Sequence, residues 1–317
     1  MNAQTEFSSK HFSIEPLADG VFAAIHREGG AAIGNAGLID LGGLLLVFDT
    51  FLTPQAARDL RHFFVQTFGR VPQFVINSHY HNDHVWGNQV FADKAQIISN
   101  ACTCQLFDTE GKAEFSWYRS NAAQRLQALQ ERAQNVQDEH ERQSLEGMLG
   151  YYAGLVEAMP TLTVCKPNLT FSHNLTLYGK KRSAELITYQ HSHTACDSVL
   201  YLPKDGVVFT GDLLFVRSHP YLSEAKPTQL IETLKALAQL DAEIYVPGHG
   251  QIGSKHDLTL LADYTQFCLD AAAEVRKAGS TEAALEQVAI PELFKDWQLP
   301  HMLQGNIKSM LKSHKRN

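Results

Sequence analysis

Residues 74–88 read FVINSHYHNDHVWGN, an apolar run that passes straight into three histidines and an aspartate within six positions. The run reads as a short buried strand, so His79, His81, Asp83 and His84 stand at its end. Alternation in an extended segment sends His79 and His81 to one side, and the turn that follows can carry Asp83 and His84 to a second position. Neutral imidazole nitrogens and carboxylate oxygens suit zinc-like divalent ions, and the lack of cysteine in the motif argues against a closed structural site. Four side chains cannot complete two coordination spheres. The fold must therefore bring in ligands from elsewhere, and three further strand ends offer them: His193 after AELITYQ, Asp212 after GVVFT and His249 after EIYV. His191, two residues before His193, is a rival for that position if the strand continues.

The rest of the chain supplies strands and helices in an α/β order. VFAAI, AIGNAGLID and LLLVFDT form a strand meander with Gly42 and Gly43 at a tight hairpin. A helix follows, capped by Thr53, with Pro54 at its first position and Gly69 at its close. AQIISN is another strand. Residues 112–158 are rich in Ala, Gln, Glu and Arg at helical spacing, which predicts a helical insertion of two or three helices. As a long insertion beside a site it is a candidate lid or dimer contact. LTVCKP, NLTF, NLTLYG, AELITYQ, SVLYLP and GVVFTGD read as strands, TQLIETLKALAQL as a helix, EIYVPG as a strand and HDLTLLADYTQFCLDAAAEVRKAG as a long helix. Residues 280–317 predict a C-terminal helical extension ending in a solvated basic tail, KSHKRN. No low-complexity linker divides the strand-then-helix halves, so one domain is expected over residues 1–317, with two packed sheets and helices outside.

Composition limits what such a chain does. It has 317 residues, 44% hydrophobic, and a formal net charge of −7, which gives no field favouring nucleic acid. The start lacks a basic then apolar leader pattern, and no window offers the 18 or so apolar residues of a membrane span, so a cytoplasmic location is expected. Five scattered cysteines suggest reduced thiols, with ordinary packing for Cys102, Cys104 and Cys196.

NSHYHNDHVWGN, HTACDS, TGDLLF and PGHG, in this order and spacing, resemble the metallo-beta-lactamase superfamily of metallohydrolases from about residue 20 to 250. The resemblance implies a four-layer αββα sandwich with a dinuclear metal site at one edge between the sheets. His79, His81 and His193 would hold one zinc, Asp83, His84 and His249 a second, and Asp212 would bridge them, with iron or manganese as alternative metals. His193 is preferred to His191 because HT followed by a small-residue loop fits the family pattern better. That loop reads ACD where many relatives have a Pro-Gly type turn.

The chemistry this implies is hydrolysis of a small ester, lactone, thioester or amide, a β-lactam included, by a metal-bridging hydroxide. Asp83 would orient it and shuttle its proton. Tyr221 and His219, flanking Pro220 on the loop after Asp212, are candidates to touch oxyanion or substrate. Tyr80, Trp86 and Asn88 are expected to support the first cluster. By the same resemblance, well-known clinical β-lactamases lack a bridging aspartate at this place, so Asp212 points to the thioesterase and lactonase branches. A mononuclear iron oxygenase acting on a thiol, or a non-enzymatic binding member, are the alternative classes. The expected partner is a small-molecule substrate, not nucleic acid or a membrane, with a homodimer left open.

Overall fold

The computed structural model describes residues 7–137 and 139–313, so residues 1–6 and the basic tail from His314 onward lie outside the described residues. Its centre is two facing sheets. The first contains, in spatial order, β1 (Phe12–Ala18), β2 (Val21–His26), β3 (Ala36–Asp40), β4 (Leu45–Phe48), β5 (Phe74–Ile76), β6 (Gln96–Asn100) and β7 (Leu169–Phe171). β1 to β4 are an antiparallel meander, and β4 to β7 run parallel. The second sheet has the order β12 (Ile244–His249), β11 (Val207–Phe215), β10 (Cys196–Leu202), β9 (Ser183–Gln190) and β8 (Asn174–Tyr178), antiparallel except for the parallel β11–β12 pair.

Side-chain alternation decides the layers. On β4, Leu46 and Phe48 point into a core shared with Leu200, Leu202, Val207 and Phe209 of the second sheet. Their neighbours Leu45 and Val47 point outward, against Ala56, Leu60 and Phe64 of α1 (Pro54–Phe68). α1 begins and ends where its boundary residues require: Thr53 Oγ1 accepts from the Ala56 N–H, Pro54 opens it, and Gly69 closes it at φ 72°.

The outer face of the second sheet, with Val199, Tyr201 and Val208, is covered by α6 (Pro227–Leu237), α7 (Lys255–Lys277) and α9 (Met302–Ser313). The short α8 (Glu282–Glu286) precedes α9. The four-layer αββα order is thus present.

Between β5 and β6 lies α2 (Asn82–Val85), and after β6 come α3 (Ala101–Leu106), α4 (Glu110–Asn135) and α5 (Glu139–Ala158). α4 and α5 occupy the Ala/Gln/Glu-rich stretch. They pack through Ala122 and Leu155 on Leu52, Tyr80, Val85 and Trp86, the residues around α2. Among the described residues no helix is long and apolar enough to cross a membrane.

Three sequence expectations need correction. LTVCKP is not a strand, and its six residues run without regular pairing into Asn168 and β7. Its Pro167 has no N–H for a ladder. Conversely β1 was not anticipated. It holds Pro16, which is tolerable because β1 is the edge of its sheet and its register shifts between Pro16 and Ala18. The third concerns the thiols: Cys102 on α3 and Cys196 at the start of β10 form a disulfide, their Cα atoms 6.0 Å apart and 94 residues apart in sequence. Spacing could not reveal a pair that meets only when α3 docks on the second sheet. Cys104, Cys165 and Cys268 are free.

Closing so long a loop restricts the unfolded chain, so Cys102→Ser or Cys196→Ser should cost about 2–4 kcal/mol of stability. Urea midpoints of the oxidised wild type and each variant measure this. Equal midpoints would mean that the bridge does not constrain the chain in solution.

Candidate metal centre

The seven side chains picked from the strand ends converge at one rim of the sandwich. His79 stands on the bend three residues after β5, and His81 is the residue before α2, whose first turn carries Asp83 and His84. His193 lies on the loop from β9 to β10, Asp212 lies within β11, and His249 ends β12. Both sheets therefore contribute. Gly211 takes φ 53°, and a Cβ there would stand 2.6 Å from that of Ser78. A Cβ on Gly248 would lie 1.9 Å from Asp212 Oδ1, so glycine is what lets this carboxylate rest against the neighbouring strand.

Two groups form within this cluster. His79 Nε2 and His193 Nε2 are 3.0 and 3.1 Å from His81 Nδ1. Asp212 Oδ2 is 3.3 Å from His193 Nε2 and 3.8 Å from His79 Nε2. The other carboxylate oxygen, Oδ1, faces the second group, 3.0 Å from His84 Nε2 and 3.3 Å from His249 Nε2. Asp83 Oδ2 is 3.2 Å from His249 Nε2 and 3.8 Å from His84 Nε2. In each group, His79, His81, His193 and Asp212, or Asp83, His84 and His249, the ligand atoms lie within 4.8 Å of one another. His79, His84 and His193 are at most 1% exposed.

The donor set fits cations. His84 Nδ1 donates to Asp49 Oδ2 at 2.9 Å, so in a neutral ring Nε2 presents a lone pair to Asp212 Oδ1. Both atoms are buried and neither has a hydrogen-bond partner among the described residues. Two facing electron pairs require positive charge between them, either a proton or a metal ion.

The electrostatics show the same demand. Burial disfavours charge on His84, yet the carboxylates of Asp212 and Asp83 outweigh it and raise its pKa well above the ordinary value. His249 is raised to about 9 against burial, by Asp212 and Asp83. His81 is raised to about 8, again against burial, by Glu224 and Glu114. His79 is driven well below its ordinary value and His193 down to about 4, in both cases first by burial. Burial also opposes charge on Asp212, but His249, His84 and His193 hold its carboxyl well below the ordinary range.

The remaining sequence candidates divide. Tyr221 is 39% exposed, its ring centroid 5.9 Å from that of His81 and 6.4 Å from that of His193, so it faces the cluster. His219 does not, which corrects the expectation that it borders substrate. It is fully buried between Tyr264 and Trp297, with Nδ1 2.9 Å from Tyr264 Oη. His191 is exposed at φ 56°, while His193 reaches the cluster. Trp86 packs on Phe115 and Tyr118 of α4, and Asn88 exchanges hydrogen bonds with Asn77.

Several neighbours escaped the sequence reading. Asp49 accepts from Ser78 N–H and Oγ as well as from His84, and it is the first residue after β4, a position that could have flagged it. Asp197 accepts from the backbone N–H groups of His193 and Thr194 and from Thr194 Oγ1, holding the His193 turn. Cys196, expected to pack in this loop, opens β10 directly after that turn and ties the strand to α3. From α4 comes Glu114, pushed up to about 8 by burial, with Asp83 and Glu224 adding to the effect. Tyr151 of α5 accepts from Asn82 Nδ2 at 2.9 Å. Nothing in a helix rich in Glu and Tyr marks these last two.

The family model described as the metallo-beta-lactamase superfamily matches residues 29–249. Among solved structures, a metallo-beta-lactamase from Pontibacter korlensis superposes with a TM-score of 0.59 at 15% identity, covering 80% of this chain and 99% of that one. DIM-1 metallo-beta-lactamase gives 0.57 at 17%, covering 81% and 98%, and TMB-1 gives 0.57 at 16%, covering 81% and 97%. At such identities the likeness is one of fold. No curated protein matches the chain by sequence.

Protons and metal ions compete for this cluster, because His81 and His249 must each release a proton before offering a lone pair. Zinc affinity should therefore begin to fall as pH drops below about 9, and fall by more than about tenfold per pH unit below about 8, where both rings are protonated. Competition with a chromophoric chelator between pH 6 and 9 measures it, and a flat profile would contradict the raised pKa values.

Proposed function

The chain belongs to the metallo-beta-lactamase superfamily, and we propose on that footing that it is a dinuclear zinc hydrolase acting on a small ester, lactone, thioester or amide. A metal-dependent hydrolase in general follows from the family and the His/Asp cluster. The observation that supports the dinuclear reading is the division of Asp212 between the two groups, one carboxylate oxygen toward each.

His79 Nε2, His81 Nδ1, His193 Nε2 and Asp212 Oδ2 would hold one cation, and Asp83 Oδ2, His84 Nε2, His249 Nε2 and Asp212 Oδ1 the other. When bound, such a pair supplies a water acidified to near neutrality and an electrophile for a carbonyl oxygen.

The chain's own groups do the rest. Asp83, its carboxyl lowered to about 2 by His84 and His249 against burial, is ionised and placed to orient the attacking water and to carry its proton toward the leaving group. Tyr221, whose ring lies against His81 and His193, would be the group to offer a hydroxyl to the developing oxyanion. Beside the first group lies a cavity of about 310 Å³ lined by Tyr80, Leu106, Thr194 and Glu224 among others, a size that suits a small molecule. A mononuclear iron oxygenase would leave the Asp83, His84 and His249 group without use, which favours the two-cation reading.

Metal analysis followed by a panel of lactam, lactone, thioester and phosphodiester substrates tests the proposal. The wild type should retain two zinc equivalents and turn over a member of the first three classes. Asp212→Ala should lose metal and more than about 100-fold in kcat/KM. Unchanged turnover in that variant would remove Asp212 from the mechanism.

A further inference from the structure

Each imidazole of the first group directs one nitrogen into the cluster and leaves the other to be settled by its surroundings. His79 turns Nδ1 to Ser78 Oγ at 2.9 Å. His193 Nδ1 is buried without a hydrogen-bond partner among the described residues. His81 is placed the other way round, with Nδ1 inward and Nε2 toward Glu224 Oε1 at 3.5 Å. The second oxygen of that carboxylate accepts from the Tyr80 hydroxyl at 2.6 Å. Glu224 lies on the loop between β11 and α6, three residues after Tyr221, while Tyr80 sits between two cluster histidines. A carboxylate 144 residues away is thus clamped by one neighbour of His81 and turned toward His81 itself.

We propose that Glu224 is the positioning residue of His81: its carboxylate accepts the Nε2–H, keeps the Nδ1 lone pair aimed where His79 Nε2 and His193 Nε2 converge, and is itself held in place by Tyr80. The inference rests on the metal-holding role proposed above for His81. The physical basis is general, since a carboxylate on the outer nitrogen fixes both ring orientation and tautomer and makes the inner nitrogen a better donor. It also gives the loop bearing Tyr221 a direct tie to the cluster, so the cleft wall and the first group share one support.

The test measures binding and tautomer, not only activity. Zinc affinity of the apoprotein, by competition with a chromophoric chelator, should fall about 10–100-fold in Glu224→Ala. Glu224→Gln keeps an acceptor oxygen and should recover most of that loss. Tyr80→Phe should lose less, and the Glu224→Ala/Tyr80→Phe double variant should be no weaker than Glu224→Ala alone, as expected for two groups acting through one contact. Nitrogen-15 spectra of the metal-free wild type should show neutral His81 carrying its proton on Nε2. A proton on Nδ1, or unchanged zinc affinity in Glu224→Ala while His81→Ala loses zinc, overturns the inference and leaves the proposed function standing. Absence of zinc binding by the wild type defeats the proposed function, and the His81 tautomer still decides the role of Glu224.

Discussion

The rim of this sandwich is organised around a single buried carboxylate. Asp212 lies inside β11, between two strands of its own sheet and opposite the residues that leave β5 of the other, and it sends one oxygen to each histidine group. A carboxylate with so little contact with water needs hydrogen-bond donors or positive charge at both oxygens, and here histidines stand at both. The surroundings are built to allow this: Gly248 leaves room for the side chain, Gly211 allows β11 to bulge against Ser78, and Asp49 orients His84 from behind.

Much of this was legible because it depends on local periodicity. Strands that alternate, a helix with Thr53 and Gly69 at its ends, and ligands that all follow apolar runs define both the layers and the seven side chains at the rim. The order of motifs, more than any one of them, carried the reading. A histidine after a strand is common, whereas four such strand ends require a common rim.

What could not be read depends on contacts between distant segments. His219 and Tyr221 are equivalent in sequence, flanking Pro220, yet one is enclosed by Tyr264 and Trp297 and the other faces the histidines. The difference arises from how α7 and the C-terminal residues dock, which no pattern near Pro220 records. Glu114 and Tyr151 likewise reach the site only because α4 and α5 lean on Trp86 and Val85. β1 was hidden by its proline, and LTVCKP imitates a strand in composition without having a neighbour to pair with.

The covalent bond between Cys102 and Cys196 encloses more than its own surroundings. The span between those residues includes α4, α5 and the three strands that follow, so the long, largely exposed α4 belongs to a closed ring of backbone. A protease that nicked this hairpin would open the ring without releasing either piece. The cut molecule would gain only the water of hydrolysis and would separate into two pieces once its sulfurs were reduced, and the strands that carry the rim would stay tethered across the break until then.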